Sequence, residues 1–231
     1  MTAAIARRLE DVDRRIQQAA QASGRCLSDI RLVAVSKTCP ADSVRAAAAA
    51  GVTDIGENYI QEAREKYAAL QGVAVKWHFI GHLQTNKAKY AVRMFDLIHT
   101  VDSFRVALEL DRCARKLDKV QAVLIQVNVA GETAKSGIPP EKALPLVQEM
   151  AALEFVRVQG LMTMPPIFNE PERVRPFFAK LRRLRDRIRE QAVPNIRMDE
   201  LSMGMTGDFE AAVAEGATLL RIGTAIFGER S

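Results

Sequence analysis

The sequence predicts an α/β fold: a single (β/α)8 TIM-type barrel with an extra N-terminal helix, forming one domain over residues 1–231. Three observations favour this fold. Eight short runs of β-branched and aliphatic residues recur along the chain, a stretch of helical periodicity follows each run, and no domain-scale linker interrupts the alternation. Alternating strands and helices require right-handed crossovers and a mainly parallel sheet. Eight such units in about 200 residues match a closed barrel better than an open sheet.

The predicted strands are, in chain order, 32–36, 52–56, 76–80, 95–99, 122–129, 155–162, 199–203 and 218–223. Before the first strand, apolar residues at helical spacing among charges predict a helix that covers one end or one side of the barrel; they are Ile5, Leu9, Val12 and Ile16. The Pro-rich stretch 163–176 lies between a strand and a helix. Its residues Asn169, Glu170 and Pro171 indicate a helix start rather than a domain boundary.

Composition limits the class of protein. With 231 residues, 48% of them hydrophobic, the chain can bury one large core. Its three cysteines, Cys26, Cys39 and Cys113, show no CxxC spacing, which argues against a disulfide framework or zinc ribbon and indicates a reducing compartment. No signal-peptide pattern and no run of roughly 20 apolar residues is present. We expect a soluble, cytoplasmic protein without membrane contact.

The first predicted strand ends in a lysine. Lys37 follows the apolar run Leu32-Val33-Ala34-Val35-Ser36, and Pro40 turns the chain soon afterwards. A lysine here can simply extend its amine to solvent along an apolar surface. However, polar residues follow the other predicted strands as well, and the carboxyl ends of barrel strands form the active face. We therefore expect these side chains to converge on one rim.

The last two strand exits suit an anion. The stretch "LRIGTAIFG" places Gly223 and Thr224 at the start of a short final helix, where backbone N–H groups and the helix dipole favour negative charge. The preceding exit, "LSMGMTGDF", adds Ser202 and two glycines. The ordinary alternative is a pair of glycine turns, with Thr206 as a helix N-cap and Asp208 complementing the dipole. For Gly223 and Thr224 we favour phosphate, which barrels often bind in the loops after strands seven and eight.

A lysine on one side of the barrel mouth and a phosphate site on the other suggest pyridoxal 5′-phosphate, held as an internal aldimine by Lys37. Arg221, two residues before Gly223, would then lie beneath the ring. A permanent cation there opposes protonation of the pyridine nitrogen and weakens the cofactor as an electron sink. The alternative role of Arg221 is a buried salt bridge to Glu57, and both roles are compatible.

Seven motifs resemble those of the pyridoxal phosphate homeostasis proteins, a family similar to the N-terminal barrel domain of alanine racemases. They are "VAVSKT", "GENYIQEA", "WHFIGHLQTNK", "KSGI", "GLMTM", "LSMGMTGDFEAAVAEGAT" and "RIGTAIFG". The resemblance implies Lys37 as the aldimine lysine and Arg221 facing the ring nitrogen. It also implies Ser202, Gly223 and Thr224 at the phosphate, and pocket walls that include Asn58, His78 and Met203.

The same resemblance implies a role in intracellular cofactor storage and supply, with no catalytic residue and no established turnover. Apoenzymes that need pyridoxal phosphate are the implied protein partners, and we expect a monomer. Two residues depart from the family pattern. Cys39 stands where some relatives carry a second lysine, and His82 stands where proline is expected.

Three alternatives remain open from the sequence. The first is an amino-acid racemase, which needs a base on each face of the ring. Similar racemases take a tyrosine from a second domain, and Tyr59, Tyr67 and Tyr90 are not obvious substitutes.

The second alternative concerns the basic helix 173–190, which could bind nucleic acid or an acidic partner. Its pattern is typical of a solvated outer helix with an apolar stripe, which consists of Phe177, Leu181, Leu184 and Ile188. Nucleic acid is the less favoured partner. A metal site at His78 and His82 is disfavoured because no carboxylate motif accompanies them.

Overall fold

The chain folds into a closed barrel of eight parallel strands. The computed structural model describes residues 2–132, 135–166, 168 and 170–229. Each strand pairs with the next in sequence, and the last pairs back to the first, which confirms the predicted fold class. The strands are β1 (Arg31–Val35), β2 (Asp54–Glu57), β3 (Lys76–Phe79), β4 (Leu97–Val101), β5 (Gln121–Gln126), β6 (Val156–Met162), β7 (Glu200–Ser202) and β8 (Leu219–Ile222).

Helices surround the barrel and connect its strands. Within the described residues the α-helices are α1 (Thr2–Ala22), α2 (Ala41–Ala49), α3 (Ile60–Ala69), α4 (Ala88–Met94), α5 (Phe104–Arg115), α6 (Ala143–Met150), α7 (Arg175–Glu190), α8 (Phe209–Ala214) and α9 (Thr224–Phe227). None of these is long and apolar enough to cross a membrane. Seven residues of the predicted domain lie outside the described ranges: Met1, Thr133, Ala134, Ile167, Asn169, Arg230 and Ser231.

The additional helix α1 covers one side of the barrel. Its predicted apolar face is buried, and that face consists of Ile5, Leu9, Val12 and Ile16, with Ala20 continuing it. The helix packs against α2, α8 and α9. Burial of this face therefore holds together the helices that flank the first and last strands.

The basic helix begins later than the sequence indicated. A 3-10 turn over Pro171–Val174 precedes α7, and Asn169 lies outside the described residues. Phe178, rather than the predicted Phe177, joins the buried stripe, because it lies three residues before Leu181 on the same face. Phe177 is only partly buried and stacks on Phe168, with ring centroids 5.8 Å apart.

The core has two layers. The larger layer packs helices against the outside of the barrel. The smaller layer fills the barrel interior with one residue from each of five strands: Val33, Leu97, Leu124, Met162 and Leu219. Because side chains alternate along a strand, residues two positions beyond these also point inward. That alternation places polar side chains in the interior nearer the carboxyl ends of the strands.

Candidate functional site

A cavity of about 700 Å³ opens at the carboxyl ends of the strands. This volume lies within the usual range for small-molecule sites. The loops after β1, β6 and β7 and the beginning and end of α9 form its walls. Its lining includes five of the residues predicted from the sequence: Lys37, Asn58, Arg221, Gly223 and Thr224.

Lys37 lies on a short loop between β1 and α2, and its side chain is half-buried. The next residue, Thr38, has a φ of 66°, in the left-handed region that β-branched residues rarely adopt. Two hydrogen bonds hold this conformation. The Thr38 N–H donates to the Glu62 carboxylate, and the Thr38 hydroxyl donates to the Lys37 carbonyl at 2.6 Å. The backbone that carries the amine is thus fixed from helix α3.

A buried ion-pair cluster outside the barrel wall supports the same loop. We call it the loop clamp, and it consists of Ser36, Glu57, Glu62 and Lys66. The Lys66 amine donates to the Ser36 carbonyl at 2.5 Å, to Glu57 at 2.7 Å and to Glu62 at 2.6 Å. The Ser36 hydroxyl donates to Glu57 at 2.5 Å. The clamp therefore joins the end of β1 to β2 and α3.

Burial raises the pKa of Glu57 above its usual value, although hydrogen bonds from Lys66 and Ser36 act in the opposite direction. The carboxylate is fully buried, and its second oxygen, Oε2, has no hydrogen-bond partner. The suggested salt bridge between Arg221 and Glu57 is not formed. Glu57 points out of the barrel toward α3, whereas Arg221 points inward, because the two residues have opposite orientations on their strands.

Arg221 forms part of the cavity floor and is only 4% exposed. Its guanidinium donates from Nη1 to the Ser202 hydroxyl at 2.6 Å and from Nη2 to the Thr163 carbonyl at 2.8 Å. Both acceptors are neutral. Burial lowers the pKa of Arg221 to about 10, with the charge of Asp208 opposing the shift, so the side chain stays a cation at neutral pH.

A line of polar side chains continues from Arg221 through the barrel interior. The Ser202 hydroxyl lies 2.8 Å from His99 Nδ1, His99 Nε2 lies 2.9 Å from His78 Nδ1, and His78 Nε2 lies 2.8 Å from Asp54 Oδ1. Burial lowers the pKa of His99 well below its usual value, and nearby positive charge lowers it further. His99 is therefore neutral.

The opposite wall of the cavity is formed by the two glycine-rich loops. A Cβ atom on Gly223 would lie 3.1 Å from the Val35 carbonyl oxygen, so glycine permits the chain after β8 to pass close to β1. In the preceding loop, Asp208 and not Thr206 occupies the N-cap position of α8. The Thr206 hydroxyl instead accepts a hydrogen bond from the Ala225 N–H at 3.5 Å. Helix α9 has a single turn, so its dipole is small. Hydroxyl and N–H groups must therefore supply most of the attraction for an anion at this end of the cavity.

Comparison with known proteins identifies the family of this chain. The family described as alanine racemase, N-terminal domain, matches residues 8–231. The chain is 46% identical to the pyridoxal phosphate homeostasis protein of Aquifex aeolicus, covering 96% of this chain and 97% of that protein. It is 43% identical to the protein of the same name from Pseudomonas aeruginosa, covering 98% and 96%. The chain belongs to the pyridoxal phosphate homeostasis protein family.

Solved structures support the same assignment. PipY of Synechococcus elongatus, in a structure with pyridoxal phosphate bound, has a TM-score of 0.84 and 37% identity, covering 97% of this chain and 100% of that chain. An alanine racemase from Clostridium difficile has a TM-score of 0.72 at 16% identity and shares the fold; this chain spans 57% of its length. The homeostasis-protein family and the racemases thus have the same barrel architecture.

Three of the predicted site residues lie outside the cavity lining. Ser202 and His78 are buried in the interior line below Arg221, and Met203 is fully buried, with its N–H donating to the Leu219 carbonyl at 3.2 Å. Sequence reasoning gave no role to Asp54 or His99. The signal was present, because a polar residue at an inward position of an apolar strand requires a buried partner.

The structure also bears on the alternatives. His78 is buried whereas His82 is exposed, so the two do not share a site. None of the three tyrosines lines the cavity. On α7, four of the arginines pair with carboxylates; these are Arg175, Arg182, Arg185 and Arg189. The pairing offsets part of the positive charge that an acidic partner would need.

Proposed function

We propose that this protein binds pyridoxal 5′-phosphate in the cavity at the barrel mouth and acts in intracellular homeostasis of that cofactor. The observation that carries the proposal is the placement of Lys37 and the Gly223–Thr224 turn in the lining of one cavity. When bound, the cofactor supplies an aldehyde that condenses with a primary amine. Membership of a family whose relatives are named for pyridoxal phosphate supports the same conclusion.

The residues present fit this cofactor chemically. Lys37 is the primary amine of the lining, and its backbone is fixed by the loop clamp. Thr206, Gly207, Gly223 and Thr224 offer hydroxyl and N–H donors of the kind that bind phosphate. Arg221 adds a buried positive charge that favours a dianionic ligand. Asn58, the fifth predicted residue of the lining, offers an amide donor and acceptor.

We further propose that the protein holds the cofactor without turning over a substrate. Arg221 keeps its proton at neutral pH, because burial lowers its pKa only to about 10. Proton exchange on both faces of a bound amino acid needs a second base opposite Lys37. The tyrosines do not offer one, since Tyr59, Tyr67 and Tyr90 all lie outside the cavity lining.

The remaining parts of the proposal concern location and partners. A cytoplasmic location is supported by Cys26, Cys39 and Cys113, since no disulfide joins them. A monomer is supported by the small number of large exposed apolar side chains in the described chain: Leu27, Tyr59, Leu117, Val120 and Met164. We propose apoenzymes that use pyridoxal phosphate as the recipients of the bound cofactor.

Removal of the phosphate from the ligand is expected to weaken binding at least about 100-fold, because two or more charge-assisted hydrogen bonds of roughly 1.5–3 kcal/mol are lost. Titrations of the purified protein with pyridoxal phosphate and with pyridoxal, followed by absorbance, measure this ratio. Thr224→Val should weaken binding of the phosphorylated ligand and leave pyridoxal unchanged, which makes pyridoxal the matched control. Equal affinity for both ligands would refute the phosphate site.

The carrier function predicts that alanine exchanges its α-proton in heavy water no faster with the loaded protein than with free cofactor. NMR of L- and D-alanine incubated in D₂O follows both exchange and racemization. The control is the Lys37→Ala variant at the same total cofactor concentration. Rapid exchange that depends on Lys37 would instead identify an amino-acid racemase or a related enzyme.

A further inference from the structure

Four buried side chains connect the floor of the cavity to the amino-terminal half of the barrel interior. They come from four different strands and form an unbroken series of contacts that ends at Arg221. We call them the interior relay; in order from the bottom of the barrel they are Asp54, His78, His99 and Ser202. Each is at most 3% exposed. A chain of this length in a barrel interior is costly unless every polar atom is satisfied.

Hydrogen-bond chemistry gives the relay a direction. The carboxylate of Asp54 only accepts, so His78 must carry a proton on Nε2. If His78 is neutral, its Nδ1 accepts, and His99 must donate from Nε2. The remaining nitrogen of His99, Nδ1, then accepts from the Ser202 hydroxyl. The oxygen of that hydroxyl accepts in turn from the Arg221 guanidinium.

In the reverse arrangement, fewer polar groups of the relay have a hydrogen-bond partner. A second proton on His78 would make it donate to His99 Nε2, and His99 would then donate from Nδ1 to Ser202. The Ser202 oxygen would accept from both sides, and its own proton would lose its acceptor in the relay. Only the first arrangement gives every donor in the relay an acceptor, and in it both histidines are neutral.

The two ends of the relay carry opposite charges. Burial opposes ionisation of Asp54, but hydrogen bonds from His78 and Thr53 and nearby positive charge lower its pKa below the usual value. At the other end, Arg221 is a cation, and the negative charge of Asp208 acts on it. The series of contacts therefore runs from a guanidinium donor to a carboxylate acceptor, and each link polarises the next.

We propose that the interior relay positions the Arg221 guanidinium at the cavity floor, with both histidines neutral and protonated on Nε2. Its members are positioning residues, since they act through Arg221 and lie outside the cavity lining. The consequence for ligand binding rests on the proposed function: a fixed guanidinium presents the same charge and donors to each pyridoxal phosphate molecule that enters. The relay itself can be tested in the protein without cofactor.

Nitrogen-15 NMR of the cofactor-free protein, at pH 7, tests the tautomers. The chain contains three histidines, and His82 is exposed, so His82→Asn removes its signals and leaves those of the relay. We expect both remaining rings to be neutral with the proton on Nε2. Asp54→Asn should shift the His78 Nε2–H signal, and Ser202→Ala should shift His99 Nδ1. A proton on Nδ1 of either ring, or a charged ring, would overturn the proposal.

The positioning role has its own readout. A guanidinium held by two hydrogen bonds rotates slowly and gives separate Nη–H signals, which Arg221→Lys assigns by their loss. We expect Ser202→Ala to collapse these signals. Thr100→Val is the matched control, because it also removes a buried hydroxyl, whose hydrogen bond goes to the Gly81 carbonyl outside the relay. Separate signals that persist in Ser202→Ala would overturn the positioning role.

Ligand titration completes the test. Ser202→Ala should weaken pyridoxal phosphate binding roughly tenfold, the equivalent of one hydrogen bond, whereas Thr100→Val should change it less than twofold. Equal weakening by both variants would mean that the relay acts only through general stability, and would contradict the proposal. If the unaltered protein does not bind pyridoxal phosphate, the proposed function fails, while the NMR results still decide the relay.

Discussion

Replacement of Lys37 by alanine is expected to abolish the absorbance band of the covalent adduct between this lysine and pyridoxal phosphate. Lys37 lines the same cavity as the residues of the proposed phosphate site, so we expect a ligand held by its phosphate to present its aldehyde to this lysine. Such placement raises the effective concentration of amine far above that of surface lysines. The phosphate contacts remain in the variant, so binding should weaken without disappearing.

Borohydride treatment followed by peptide mass analysis locates the reacting lysine. In the unaltered protein we expect the pyridoxyl group on the peptide that contains Lys37. Lys76→Ala is the matched control, since Lys76 is exposed at the first position of β3, at the opposite end of the barrel. That variant should retain both the band and the label. A reducible chromophore in Lys37→Ala, with its label on another lysine, would contradict the assignment.

The architecture was predictable because its signals are local. Each strand is a short apolar run, alternation with helices favours a parallel sheet with right-handed crossovers, and the number of units favours a closed barrel over an open sheet. The face of α1 followed from helical spacing alone, and Ile5, Leu9, Val12 and Ile16 are all buried. The start of α7 did not follow, because Pro171 favours both a 3-10 turn and the first turn of an α-helix. The apolar stripe includes Phe178 rather than Phe177, and spacing alone did not decide between them because both lie within one turn of Leu181.

The cavity lining was also largely predictable, because strand exits of a barrel share one face. The hydrogen-bond networks that support the cavity, the loop clamp and the interior relay, were harder to predict from the sequence. The loop clamp joins residues from β1, β2 and α3, and its central pair, Glu57 and Lys66, lies nine residues apart across a strand-to-helix loop. No periodicity connects those two positions. The interior relay depends on strand register, which sets which polar residues of four strands face each other, and register is not encoded in any single strand.

Substitution of Lys66 by methionine is expected to lower the free energy of unfolding by about 3–5 kcal/mol. Methionine keeps the apolar volume of the lysine stem but leaves Glu57 buried without its cation. It also removes the donor to the Ser36 carbonyl, beside the lysine loop. Urea unfolding at pH 7 measures the change. Lys142→Met, at an exposed position, is the control and should stay within about 0.5 kcal/mol of the unaltered protein.

The pH dependence of Lys66→Met identifies Glu57 as the cause. Burial already raises the pKa of Glu57 in the folded protein, and loss of Lys66 removes the main hydrogen bond that opposes the shift. A group whose pKa is higher in the folded state binds its proton more tightly there, so its contribution to stability is present at low pH and is lost as pH rises through the folded pKa. The stability deficit of Lys66→Met should therefore shrink between pH 8 and pH 5.

The control is the double variant Glu57→Gln/Lys66→Met, which has no carboxylate at position 57 to protonate. Its stability deficit should be smaller and should lack the pH dependence that Glu57 causes. A deficit in Lys66→Met that grows as the pH falls would show that the buried carboxylate is not what destabilises the variant.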